Sequence, residues 1–479
     1  SMIYHKIRNR LNSKSTELTA NLPSKILEKE KNLKENLNSF LDENSSINAY
    51  IDNEEKWLNF LDELKEDYPK YYKLKYASIS QSLNNLKQNI PESSTVLRYM
   101  FIEDSLFAFV VNSSTINMFE LKSEHLKSLI LQLNNNTEAL QPTFQLQFAL
   151  YNILWKPIEN EIKTESVIII PDKELFNLSF ELLTSKTCEN YKDLSTHSLL
   201  SKHTISYNYS LFLIDKNSQP VGYDSNFIGF APEFNEAMKT NYKIAIKDSV
   251  ELDYSYLKLL PQPFAKDLTK SYSRLFNGNS FLNEKASKSI FTQNAKEHKI
   301  IHIGTHAESD NISPEFSRLI FAKNTDDENN SLYTYEIYNQ NLASNLAILT
   351  ACETGKPSYQ PGEGMISLAH AFNYAGSESI LTSLWKIDEQ SSTKILEYFY
   401  ENISKGMKKD EALKAAKLNY ISTAEGRTVA PQYWAGLVLI GDTAPINLEV
   451  SNNWWVWIIS IIAIVLILYF VLRNRSAKT

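Results

Sequence analysis

The chain has 479 residues, with 49 basic and 56 acidic side chains and a formal net charge of −7. Hydrophobic residues make up 43% and charged residues 22%, a globular composition that excludes a collagenous, mucin-like or wholly disordered chain. The mild acidity argues against a nucleic-acid partner, which would call for a basic stripe, and two cysteines cannot build a disulfide framework or a four-cysteine zinc site.

At roughly 150 residues per domain, two or three domains are expected. The start, Ser1-Met2-Ile3, suggests a piece of something longer, and it carries no charged-then-apolar leader pattern. Residues 13–92 read as helices. Leu18, Leu22, Ile26, Leu33, Leu37 and Leu41 recur at near-helical spacing, and Trp57, Leu61, Leu64, Tyr68 and Tyr72 repeat the pattern. From about Ser93 the period changes. VLRYMFIEDSLFAFVVNSSTINMFEL reads as short strands broken at Glu103-Asp104 and Asn112-Ser113-Ser114, a meander signal. Helical spacing returns over 123–163. Val167–Ile170 then reads as a buried parallel strand stopped at Pro171-Asp172.

Residues 225–445 alternate strands with helices, which predicts an α/β layered fold with a mainly parallel sheet. The strands are NFIGFAP, KIIHIGTHAESD, NLAILTACETG and ESILTSLWKID, and the helices are expected at 281–297, 363–374, 390–403 and 409–423. Glycine marks this half. Of 12 glycines none precedes Gly222, and nine lie from Gly304 onward. Glycine survives where backbone turns tightly or approaches something closely, so the distribution points to residues 304–441.

Residues 454–472, WWVWIISIIAIVLILYFVL, carry no charge. At 1.5 Å per residue they span about 28 Å, enough to cross a bilayer core. Trp454, Trp455, Trp457 and Tyr469 sit where aromatic belts belong, and Arg473, Arg475 and Lys478 follow. A single-pass anchor is expected. The positive-inside rule puts the tail in the cytoplasm and the main body outside it; a tail-anchored chain with a cytoplasmic body is the competing topology.

Two chemistry-bearing residues fall at expected strand ends, where parallel sheets gather ligands and catalysis. His306 ends the strand expected over Ile300–Thr305, and Cys352 ends the one expected over Leu346–Ala351. A thiol needs a base or an ion-pair partner to become a good nucleophile, and imidazole supplies either. The order and spacing are those of caspases. A lone cysteine is more often core, and His302, on the same strand, competes with His306 for the outward position. A zinc site from His302, His306 and Cys352 is not expected. Two histidines four apart on a strand stand about 13 Å apart, and no other cluster demands a metal.

These segments together resemble the CHAT domain, a caspase- and separase-like cysteine peptidase family. The motifs are the strand-end His306, Ala351-Cys352-Glu353-Thr354-Gly355, Gly362-Glu363-Gly364, Ser383-Leu384-Trp385 followed by Asp388, and Trp434-Ala435. Upstream, VLRYMFIEDSLFAFVV, LYNILWKPIENEI, IIIPDKELFNLSFELL and HTISYNYSLFLI look like the family's non-catalytic half, so the likeness covers about 93–442. It implies a caspase-like α/β/α fold. A helical segment at 1–92, as the end of a repeat array, would precede a non-catalytic subdomain at 93–224 and a catalytic one at 225–445. The anchor and basic tail would fill 446–479.

The resemblance further implies a Cys352–His306 dyad cutting peptide bonds without a cofactor, on protein or peptide substrates. A protein regulator at the N-terminal helices fits the same picture. The oxyanion would be held by the amides of Cys352 and Ala307. Ala307 replaces the family's usual glycine; it offers the amide but not glycine's φ freedom. Glu353, Glu363 and Asp388 are candidates to select a basic substrate residue, or equally solvated carboxylates or helix caps. The alternative function is a catalytically weak domain serving as a protein-interaction scaffold. A nucleotide-binding module would need a glycine-rich first strand–helix turn, and the first half of the chain has no glycine.

Overall fold

The computed structural model of the chain describes residues 23–38, 47–69, 72, 83–135, 140–214, 221–246, 252–310, 313–323, 329–350 and 363–449. Strand residues alternate between two apolar faces, and this alternation makes the layers. In β8 (His298–Ile303) and β12 (Ser344–Leu349), Ile301, Ile303, Ala347 and Leu349 enter one core. Ile300, Leu346 and Ile348 enter the other. Helices Leu140–Leu154 and Glu363–Tyr374 help to cover the first face. Helices Pro263–Leu275, Glu389–Ser404 and Lys409–Thr423 cover the second.

The other strands of the main sheet are β1 (Ser94–Ile102), β2 (Ser105–Val111), β3 (Ile116–Leu121), β4 (Ser166–Ile170), β5 (Thr204–Tyr207), β6 (Ser225–Ala231), β7 (Asn279–Leu282), β13 (Ser379–Ser383) and β14 (Leu437–Gly441). Eleven strands run in the order β3-β2-β1-β4-β5-β14-β13-β12-β8-β6-β7. Pairing is parallel except at β1–β2, β2–β3 and β13–β14. The expected α/β class with a large, mainly parallel sheet is therefore present. The antiparallel step at β13–β14 divides the sheet. It reverses direction, so β1, β4 and β5 end at one edge of the sheet while β6, β8, β12 and β13 end at the other.

Local chemistry explains the meander. Ile102 pairs with Ser105 across Glu103-Asp104, with Glu103 at a left-handed φ of 55°. The Asn112 side-chain oxygen accepts from the Ser114 and Thr115 N–H groups, an Asx turn. The helix expected over 281–297 shrinks to Lys288–Asn294. Asn279–Leu282 instead joins the sheet beside β6 as β7, because edge pairing outweighs a weak local propensity.

The two strand groups are fastened by helix Lys409–Thr423. Its buried Lys417 forms an ion pair with buried Glu181. Burial pushes the Glu181 carboxyl up and the Lys417 ammonium down, each opposed by the partner's charge. Near the N-terminus, helices Ser24–Asn38 and Ile47–Asp67 form a hairpin around Phe60 and Leu64, with Lys29 paired to Glu63.

The single-pass membrane placement is corrected. Among the described residues no helix is long and apolar enough to cross a membrane. Residues 454–472, on which that expectation rested, lie outside the described residues.

Candidate active site

His306 does not end the long strand, as the sequence suggested. The strand β8 stops at Ile303, and Gly304-Thr305 lead out of the main sheet. A Cβ on Gly304 would stand 3.0 Å from the Ala265 methyl, so glycine lets helix Pro263–Leu275 approach this exit closely. His306 then opens β9 (His306–Glu308), which pairs with β10 (Arg318–Ile320) in a separate three-stranded sheet with β11 (Ser331–Tyr333). The register sets His306 opposite Ile320, and the Thr305 hydroxyl donates to the Ile320 carbonyl.

The His306 ring is buried. Its Nε2 lies 2.8 Å from the Leu260 carbonyl oxygen, and the Phe234 ring stands 5.0 Å away, centroid to centroid. A carbonyl only accepts, so Nε2 carries the proton. In the neutral ring the lone pair is then on Nδ1, the atom able to take a proton.

His302, the competing histidine, is spent on structure. It faces the second core, with Nδ1 2.6 Å from the Tyr400 hydroxyl and Nε2 3.4 Å from the Thr350 hydroxyl. Burial pulls its imidazole down to about 3, so it stays neutral at ordinary pH.

Thr350 closes the described part of the neighbouring strand. Its N–H donates to the Ile303 carbonyl at 3.1 Å, which sets the exits of β8 and β12 side by side. Cys352 and Glu353 lie outside the described residues, as does the side chain of Glu363, the first residue of its helix. Ala307 is buried in β9 without a left-handed φ, so its backbone has no need of glycine.

Asp388 caps helix Glu389–Ser404, accepting from the Ser391 N–H at 2.9 Å and the Ser391 hydroxyl at 2.8 Å. Trp385, beside it, donates from its indole to the Gln432 carbonyl at 3.1 Å. Gly436 makes room for that indole, since a Cβ there would stand 2.7 Å from Trp385 Cε2. The other cysteine, Cys188, is buried, and its thiol is pushed up to about 11 by burial and by the Asp193 charge.

Three groups at this edge were not found from sequence. The Leu260 carbonyl belongs to the backbone and leaves no residue signature. Phe234 takes a left-handed φ of 55° that its residue type does not announce. Glu389 accepts from the Ala265 N–H at 2.9 Å, and burial pushes its carboxyl up. Its place in the first turn of helix Glu389–Ser404 carries no sign of this contact.

Residues 146–442 match the CHAT domain family. Among curated proteins, tetratricopeptide repeat protein 28 of Homo sapiens is 35% identical over 86 residues, 18% of this chain and 3% of that protein. Its Mus musculus counterpart is 31% identical over 86 residues. The chain thus spans a small fraction of these relatives' length. Among solved structures, the Saccharomyces cerevisiae separase–securin complex matches with 10% identity and a TM-score of 0.43, over 74% of this chain and 30% of that one. The Arg-specific cysteine proteinase gingipain R matches with 10% identity and a TM-score of 0.35, over 67% and 76%.

Proposed function

The chain belongs to the CHAT domain family, and on that premise we propose that it is a cysteine endopeptidase acting through Cys352 and His306. The observation that carries this reading is the His306 imidazole, buried at the exit of β8 and hydrogen-bonded through Nε2 to Leu260. Cys352 follows Thr350 by two residues, and Thr350 is bonded to the end of β8. In this reading His306 Nδ1 takes the Cys352 thiol proton, the thiolate attacks the scissile carbonyl, and the proton passes to the leaving amine. Water then hydrolyses the thioester. The backbone amides of Ala307 and Cys352 would receive the developing oxyanion. The non-catalytic half would be 93–224 and the catalytic half 225–445. Protein or peptide substrates follow, with Glu353 and Glu363 as candidates at the pocket, while Asp388 is taken up by its helix cap.

The test is labelling with an electrophilic peptide probe. Cys352 should react and Cys352→Ala should abolish the signal, while Cys188, with its raised thiol pKa, should stay unlabelled. His306→Ala should slow reaction by about 10²–10⁴-fold, the usual worth of a positioned base. Equal labelling of the two cysteines would defeat the reading.

A second reading is a protein-interaction scaffold of weak or absent catalysis. The similarity to a tetratricopeptide repeat protein and the N-terminal helical hairpin favour it. An unreactive Cys352 together with a partner captured by residues 1–92 would support it.

A further inference from the structure

Between the end of β6 and helix Pro263–Leu275, the described residues 232–246 and 252–262 form an excursion. The Gln262 N–H closes its base on the Glu233 carbonyl at 2.8 Å. Phe234, Tyr242, Tyr256 and Leu259 form their own small cluster with Ile320 of β10, apart from both faces of the main sheet. This excursion supplies the Leu260 carbonyl and the Phe234 ring that hold His306. A cluster this small gains little from burial alone, so its fastening to the rest of the molecule matters.

Lys323 makes that fastening. It lies three residues past Ile320, the strand partner of His306. Its ammonium is 3.2 Å from Asp253 Oδ2 and 5.4 Å from the centre of the Tyr242 ring. Its backbone N–H donates to the Tyr256 hydroxyl at 3.3 Å. Asp253 meanwhile caps the turn that carries Tyr256, accepting from the Ser255 and Tyr256 N–H groups. Burial pushes the Asp253 carboxyl up, but these donors and Lys323 together bring it below the usual range.

We propose that Lys323 is a positioning residue for His306. Its ammonium, set between Asp253 and Tyr242, fixes the excursion against β10. That fixes the Leu260 carbonyl, which selects the Nε2–H tautomer and the orientation of the ring. The proposal rests on the reading of His306 as the base of the dyad.

The test uses the full chain labelled with ¹⁵N-histidine, with His306→Gln to assign the His306 signals. The wild-type ring should be a single Nε2–H tautomer. Lys323→Met should give a mixture of tautomers and shift the pH profile of Cys352 alkylation by roughly one unit, and Lys323→Arg should restore both. Asp253→Asn, which keeps the cap and removes the charge, should act in the same direction if Lys323→Met folds poorly. An unchanged tautomer and an unchanged profile in both variants would overturn the proposal, as would an Nδ1–H ring in the wild type. If the tautomers mix while His306→Gln leaves Cys352 alkylation untouched, the positioning role stands and the dyad reading falls.

Discussion

At the carboxyl ends of β1, β4 and β5, polar side chains serve the backbone. Asp172 accepts from the Phe101 N–H at 2.9 Å, Asn208 accepts from the Tyr209 N–H at 2.7 Å, and Arg98 donates to the Pro171 carbonyl at 2.9 Å. At the opposite edge, where β6, β8, β12 and β13 end, the polar group beyond β8 is an imidazole whose Nε2 lies 2.8 Å from the Leu260 carbonyl oxygen. Both edges satisfy the same demand, that buried polar atoms find partners. A carboxylate offers only acceptors, whereas a neutral imidazole has two distinct ring nitrogens, one donor and one acceptor. The two groups also differ in layout, since an antiparallel meander extends the first and every pairing within the second is parallel.

The largest effect should come from the joint between the groups. Lys417→Met leaves the buried Glu181 carboxyl without its partner, to be kept as an uncompensated charge or protonated, and should cost about 3–5 kcal/mol in urea unfolding. Replacing both residues with apolar ones of similar volume should recover most of that loss. If Lys417→Met is silent, the two groups are not fastened there.

A smaller effect per pH unit is expected at two of the four histidines of residues 225–445. Burial holds His302 and His370 down to about 3, against an ordinary 6.5. Between those values the unfolded chain binds protons that the folded one refuses. Stability should therefore fall as pH drops through this window, by about 1.4 kcal/mol per pH unit for each histidine. His302→Gln should remove one share of that slope, measured by denaturant unfolding across pH, and leave Cys352 labelling unchanged. A loss of labelling would mean that His302 takes part in the chemistry.

The smallest effect is expected at Asp388. Asp388→Ala should lower stability by about 1 kcal/mol in urea unfolding through the lost cap and leave the cleavage pattern in a peptide-library digestion unchanged. A changed pattern would give Asp388 a substrate role beside its structural one.

Much of the sheet was legible because strand signals are local. The Val167–Ile170 run, the Glu103-Asp104 turn and the Asx turn at Asn112 each depend on neighbours in sequence. Helices 363–374 and 409–423 were legible for the same reason. What failed depended on distant partners. Phe281-Leu282 reads as the start of a helix until β6 offers Asn279–Leu282 an edge. His306 reads as a strand end until β10 pulls it into a second sheet.

The sequence by itself determined the alternation of strands and helices, the order of His306 and Cys352, and the linked motifs of the family. It also determined where glycine is kept, for more than one reason: Gly304 admits a helix and Gly436 admits an indole, whereas Gly406 and Gly426 turn the chain at left-handed φ of 81° and 58° with open space around them. Only the tertiary structure decided which histidine faces the exit of β8. Residue type is the same at 302 and 306, but Tyr400 captures one ring and the Leu260 carbonyl orients the other. Those partners lie 98 and 46 residues away in the chain, and no local pattern encodes a contact that only the folded sheet brings together.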